Sequence, residues 1–348
     1  MTVLELEKND LLALSDAELE QLIGRLSEAE LAANGASVSE VRFSGSITAP
    51  DGGVDVRVNV ADPQFTSAFV QKPNTIFQAK KHTMPAGAIV SEMAPKSSLS
   101  ETIDQQARIG GGYVIVSLAD DCTENPMLSD RINAMNAAMG DHPNRDDIHL
   151  DFFDRFKLHQ WLRQHPGIML WVRQVIGRPL SGWQPHQRWS HVPAEDTDEL
   201  ITTNGVSVVL PTAQHQKLTI AQAIDPTREL IRASRKAIRI TGLSGVGKTR
   251  FVQALFEEEI GENALDRTSV IYADTGADPV PSARQMIDQL IQDGRSVSVV
   301  IDNCPPALHS DLASRVSNAA NHLELITVEY DIRDDKPLTT DVVQMETH

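Results

Sequence analysis

The chain of 348 residues contains two cysteines, Cys122 and Cys304, far apart in sequence. That scarcity excludes a disulfide framework and a cysteine-rich zinc site. No apolar run approaches the ~18 residues needed to span a bilayer. The opening MTVLELEKND has neither a basic n-region nor an apolar h-region, so no signal peptide is expected and the chain reads as cytoplasmic, with no membrane partner. Positive charge is in deficit. A net charge of −17 excludes a simple basic nucleic-acid coat, but not an enzyme that meets DNA through a local patch. Internal repeats and low-complexity tracts are absent too.

One stretch reverses the charge balance. Between Arg155 and Ala194 there is no Asp or Glu, while Arg155, Lys157, Arg163, Arg173, Arg178 and Arg188 all fall there. Trp161, Trp171, Trp183 and Trp189, the four tryptophans of the chain, lie in the same stretch. Two roles suit it: tryptophans that pack domains, which is the preferred reading, and arginines that grip DNA phosphates.

Length suggests two domains, and a hydrophobic content of 41% suffices for buried cores. Ser15-Asp-Ala-Glu18 is a capping-box signature. It opens an amphipathic helix with Leu19, Leu22, Ile23 and Leu26 on one face. Strands are expected at 54–60, 75–80, 113–118 and 148–153, and helices at 128–139 and through Trp161. The mixture implies an α/β sheet domain. The polar, acidic segment 191–204 marks a boundary. Beyond it, apolar segments at 237–241, 269–273, 297–301 and 323–328 alternate with helical stretches, which implies a parallel sheet with crossover helices. Residues 337–348 read as polar and unpatterned, so this second sheet is expected to lack a strand.

Gly242-Leu-Ser-Gly245-Val-Gly247-Lys248-Thr249 fits G-x-x-x-x-G-K-[ST], between a strand and a helix. Its glycines let backbone N–H groups turn toward a polyphosphate, and the following helix start adds positive potential. Lys248 is expected on the β- and γ-phosphates and Thr249 on Mg²⁺. Val297-Ser-Val-Val-Ile-Asp302 has the form of a Walker B strand, with Asp302 as a second Mg²⁺ ligand. The intervening strand at 269–273 matches the AAA-like branch of P-loop proteins. Asn303 follows Asp302, where many hydrolysing relatives carry an acid. Asn cannot take a proton, so binding of ATP is better founded than its hydrolysis.

Asp51-Gly-Gly-Val-Asp55, followed by Phe77-Gln78-Ala79-Lys80, places acids at the start of one strand and Gln-x-Lys on the next. Residues two apart on a strand share a face, so Gln78 and Lys80 point together, toward Asp55. Oxygen ligands hold Mg²⁺, the ion polarises a phosphate, and a lysine stabilises charge on its oxygens. Either Asp51 or Asp55 is the main ligand, and Asp55 is preferred as lying inside the strand.

With Glu20 on the first helix, DGGVD and FQAK resemble the Mrr-like branch of the PD-(D/E)XK nucleases. The resemblance implies a restriction-endonuclease-like domain over 1–160, with Asp55 and Gln78 on the metal, Lys80 as catalytic lysine and Glu20 as the helix acid. It is followed by a connector, 161–204, and an AAA-like P-loop domain, 205–348. That combination, with GLSGVGKTR, VVIDNC, ITVEYD and GRPLSGW, resembles the antiviral STAND NTPases (AVAST proteins) of bacteria and archaea. The resemblance implies an antiphage effector that cuts double-stranded DNA with Mg²⁺. It is gated by ATP binding and by assembly into a tetramer or larger homo-oligomer after a C-terminal sensor meets a phage protein. The sensor is absent from this chain, so the P-loop domain is expected to be truncated, as a fragment or a natural short form. A different class of function is a non-catalytic, nucleotide-switched DNA-binding or scaffold protein with a degenerate nuclease fold, which a plasmid-nicking assay distinguishes. A restriction enzyme for modified DNA would need a base-reading module, and none is visible.

Overall fold

In a computed structural model the described residues are 4–43, 54–95, 98–122, 126–189, 205–211, 217–320, 323–329 and 339–347. They form a mixed α/β protein with two sheets. Two compact units are present: one of residues 6–168 and 175–177, the other of 1–5, 169–174 and 178–348.

In the N-terminal unit, α1 (Asp16–Ala33) starts where the sequence sets it. The Glu18 carboxylate accepts from the Ser15 N–H at 2.7 Å, and the Ser15 hydroxyl accepts from the Glu18 N–H at 3.3 Å. Leu19, Leu22, Ile23 and Leu26 are fully buried. Gly24 lets the helix approach closely, because a Cβ there would sit 2.3 Å from the Phe43 ring. The chain continues through β1 (Val41–Phe43), β2 (Val56–Asn59), β3 (Asn74–Lys80), α2 (Ala86–Met93), α3 (Glu101–Arg108), β4 (Gly112–Ser117), α4 (Met127–Met139), β5 (His149–Phe153) and α5 (Arg155–Leu162). The sheet order is β1-β2-β3-β4-β5. The first three strands pair antiparallel, and β3-β4-β5 pair parallel. The central β4 is buried along its whole length, which is why it reads as a continuous apolar run.

The helix α6 (Pro166–Val175) follows, and then the elements of the C-terminal unit: β6 (Trp183–Pro185), α7 (His186–Trp189), β7 (Val206–Val209), β8 (Lys217–Leu218), α8 (Ile220–Ala233), β9 (Ala237–Gly242), α9 (Lys248–Ala254), β10 (Val270–Asp274), α10 (Ala283–Gln292), β11 (Val297–Asp302), α11 (Pro306–Ser317), β12 (Leu323–Glu329) and β13 (Thr340–Thr347). The eight strands run in the order β6-β10-β11-β12-β9-β13-β7-β8. Five of them, β10 to β13 in space, are parallel neighbours.

Three expectations are corrected. Asp55 lies just before β2 rather than inside it, because the chain bends there and pairing begins at Val56. The polar C-terminal segment is a strand: β13 pairs parallel with β9 and antiparallel with β7. Backbone hydrogen bonds on both edges hold it, with only Val343 and Met345 as fully buried apolar side chains. The stretch 161–204 is divided between the units. Its boundary segment 191–204 and the turn holding Asp51 lie outside the described residues.

The tryptophans pack. In the N-terminal unit Trp161 is fully buried. It stacks on Phe69 at 4.9 Å and donates its indole N–H to Glu30 at 3.2 Å. In the C-terminal unit Trp183 donates to the Pro281 carbonyl at 2.7 Å, and Trp189 stacks on Tyr272 at 4.7 Å. Two of the basic residues serve their own unit: Arg155 bonds the Leu118 carbonyl at 3.0 Å, and Lys157 pairs with Asp151 at 2.7 Å. Among the described residues no helix is long and apolar enough to cross a membrane.

Candidate functional sites

The N-terminal unit gathers its chemistry at the junction of β2 and β3. Val56 is in register with Phe77, so the residue before it, Asp55, comes beside Gln78. Asp55 Oδ2 accepts from Gln78 Nε2 at 2.8 Å and from the Ala79 N–H at 2.6 Å. No hydrogen bond to Asp55 Oδ1 or to Gln78 Oε1 forms among the described residues.

Lys80 reaches Glu92 on α2, with 2.8 Å between Nζ and Oε1. Burial pushes the Asp55 carboxyl up to about 6. The Ala79 N–H opposes this, Glu20 and Glu92 raise the value further, and the Lys80 charge lowers it. Glu20, on α1, is therefore near enough to act on Asp55 through its charge. Tyr113 on β4 is pushed above its ordinary value by burial, with the Glu92 and Asp55 charges adding to the effect.

Of the residues read from the sequence, Asp55, Gln78 and Lys80 come together at the β2–β3 junction, and Glu20 acts on Asp55 through its charge. Glu92 and Tyr113 do not stand out in the sequence. A signal for Glu92 existed: it is the one charged residue of α2, AGAIVSEM. Among the described residues no group of three or more His, Cys, Asp and Glu side chains is disposed to hold a metal ion. An ion here would have to draw on the Gln78 amide oxygen and on water beside the carboxylates, an oxygen set suited to a hard cation.

The C-terminal unit places its site at the carboxyl ends of parallel strands, where open α/β sheets hold ligands. The loop from Gly242 to Thr249 follows β9. Gly245 and Gly247 have φ of +82° and +85°, a left-handed backbone that glycine adopts without penalty. Gly242 has φ +150°, and a Cβ there would sit 2.4 Å from the Met345 carbonyl oxygen on β13.

Lys248 folds back on the loop, donating to the Gly242 and Leu243 carbonyls at 2.9 and 2.8 Å. Burial lowers its pKa, against the pull of the Asp302 and Glu329 charges. The Thr249 hydroxyl donates to Asp302 Oδ2 at 2.7 Å across 53 residues of sequence. Tyr272 donates to the same oxygen at 3.2 Å. The hydroxyl and carboxylate expected on Mg²⁺ are therefore already side by side, and they fit a hard cation.

No protein-family model matches the chain, and no curated protein matches it significantly. The solved structure described as "Structure of C. elegans PCH-2" aligns with 33% of this chain and 35% of that chain, at 16% identity and a TM-score of 0.22. The chain thus spans about a third of that protein's length, and a likeness of this size carries no argument about fold or function.

Proposed function

We propose that the chain is a metal-dependent DNA endonuclease whose activity is switched by nucleotide in its C-terminal unit, as the STAND-type defence proteins imply. The observation that carries the nuclease half is the Asp55–Gln78–Ala79 arrangement with Lys80 beside it. A half-buried carboxylate is anchored by two N–H donors, while its second oxygen and a neighbouring amide oxygen take no hydrogen bond among the described residues. Asp55 and Gln78 are the residues that would hold Mg²⁺, with Glu20 as the helix acid beside them, and the ion when bound offsets phosphate charge and acidifies water. Lys80, steadied by Glu92, supplies positive charge to the scissile phosphate. The four-residue set resembles the restriction-endonuclease-like domain, and double-stranded DNA is its substrate on this reading.

The nucleotide half rests on the Gly242–Thr249 loop and the Thr249–Asp302 contact. Gly242, Gly245 and Gly247 shape the loop, Lys248 meets the phosphates of ATP, and Thr249 and Asp302 would hold its Mg²⁺. Assembly into a homo-oligomer after a phage protein is sensed elsewhere belongs to the same proposal.

The test is plasmid nicking with Mg²⁺ or Mn²⁺, with and without ATP. Asp55→Asn and Lys80→Ala are expected to lower cleavage at least 100-fold while leaving the thermal midpoint within a few degrees. Cleavage unchanged in both variants sinks the nuclease reading. Lys248→Ala is expected to weaken ATP binding at least tenfold, and unaltered affinity sinks the nucleotide reading.

A further inference from the structure

The residue after Asp302 is an amide, and an amide cannot act as a base. Both oxygens of Asp302 already accept hydrogen bonds. Its Oδ2 accepts from Thr249 and Tyr272, and its Oδ1 accepts from the Asn303 N–H at 2.8 Å. A hydrolytic site here needs another acid.

The sheet register brings one. Strands β10 and β11 run parallel with Asp274 opposite Asp302, so both carboxylates stand at the same carboxyl edge. Asn303 links them. Its φ is +51°, the left-handed region that Asn tolerates better than most residues. This turns its side chain back toward β10, where Nδ2 donates to Asp274 Oδ1 at 2.9 Å. The Thr275 hydroxyl donates to the Asn303 carbonyl, which fixes the same turn from the other side. Asp274 Oδ1 also accepts from the Gly276 N–H at 2.8 Å. Asp274 Oδ2 takes no hydrogen bond among the described residues. Asp274 is half-buried, so that oxygen has an anchored neighbour and access to water.

We propose that Asp274 is the general base of nucleotide hydrolysis in this unit, with Asn303 as the residue that positions it. This rests on the nucleotide-binding reading above. The acid that the sequence places after the Walker B Asp in many hydrolysing relatives is supplied here by the adjoining strand. Asn303 holds the Asp274 carboxylate through Nδ2, which leaves the amide Oδ1 to accept from the attacking water. In the step, the water oxygen forms a bond to the γ-phosphorus. The bond from that phosphorus to the β–γ bridging oxygen breaks, and the nucleoside diphosphate leaves. One water proton passes to Asp274 Oδ2 and then to solvent. Nothing is oxidised or reduced. General bases of this kind contribute about 10²–10⁴-fold.

The experiment measures equilibrium binding of a fluorescent ATP analogue with Mg²⁺, and single-turnover hydrolysis of ATP, on the same chain. The variants are Asp274→Asn, Asp274→Glu, Asn303→Ala and Lys248→Ala. Asp274→Asn is expected to bind within threefold of the wild type and to hydrolyse at least 100-fold more slowly. Asp274→Glu is expected to recover part of the rate. Asn303→Ala is expected to lose roughly tenfold in rate with its affinity retained. Wild-type hydrolysis in Asp274→Asn overturns the proposal alone, as does a wild type that binds ATP and never turns it over. In a fifth variant, Glu329→Gln, on the acid whose charge also acts on Lys248, loss of turnover with full turnover in Asp274→Asn transfers the role to β12 and also overturns it. No analogue binding by the wild type, with Lys248→Ala indistinguishable from it, overturns the nucleotide reading and this proposal together.

Discussion

His309 makes the C-terminal unit sensitive to mild acid. It lies on α11, fully buried, with Nδ1 2.7 Å from the Thr327 hydroxyl and Nε2 2.9 Å from the Thr340 hydroxyl. The ring thus links β12 to β13. Burial lowers its pKa to about 4, and the nearby Arg239 charge acts in the same direction. In the unfolded chain the value returns to about 6.5. The unfolded state therefore takes up a proton first as pH falls. Stability is whole above about 6.5, declines between 6.5 and 4, and levels off below 4.

Between pH 7.5 and pH 5 the linkage amounts to about 2 kcal/mol for this one residue. His186, also buried in this unit and also lowered to about 4, adds a similar amount. Urea unfolding at 25 °C, followed through tryptophan fluorescence, to which Trp171, Trp183 and Trp189 contribute from this unit, measures the loss. His309→Leu is expected to lower stability at pH 7.5 by about 1–3 kcal/mol, because two threonine hydroxyls lose their partner. It is also expected to remove about 2 kcal/mol of the drop between pH 7.5 and 5. A variant whose pH dependence parallels that of the wild type would falsify the assignment of a neutral His309.

Two further outcomes can be checked on the same unit. Arg228 is buried and donates to the carbonyls of Ala254, Leu255, Glu257, Ile260 and Glu262 at 2.6–2.9 Å, so Arg228→Ala is expected to cost about 3–5 kcal/mol. Arg228→Lys is expected to recover little of it, since an ammonium cannot reproduce the guanidinium fork; full recovery in urea titrations would contradict that account. Gly242→Ala is expected to destabilise by roughly 1–3 kcal/mol and to abolish binding of an ATP analogue, because the new methyl meets the Met345 carbonyl at 2.4 Å. Wild-type affinity in that variant would show that β13 yields.

What was legible in the sequence was chemistry packed into a few consecutive residues. The Gly242–Thr249 loop is one such run, and its φ values follow from its glycines. Gln78 and Lys80 are two apart on one strand, so their common direction needs no tertiary knowledge. What was hidden depends on register between distant strands. Asp274 looks like any strand-end acid until β10 aligns it with Asp302. Glu92 matters only because α2 carries it to Lys80. The three residues of β6 read as a connector because an edge strand needs only one line of backbone partners. In the sequence Asp55 reads as part of a strand because Val54 and Val56 flank it with apolar side chains. Both are buried, but the pairing starts one residue later.

The place of β13 in the sheet also sets a timetable. Its first residue emerges about 100 residues after the first residue of β9, the strand that leads into the phosphate loop. At ~5–20 residues per second of synthesis that interval is roughly 5–20 s. Until then Gly242 lacks the carbonyl that lies against it, and β9 has one open edge. The N-terminal unit has all its strands by Phe153. On the proposed function, a nascent chain would complete its cutting site well before it could hold the nucleotide that governs it.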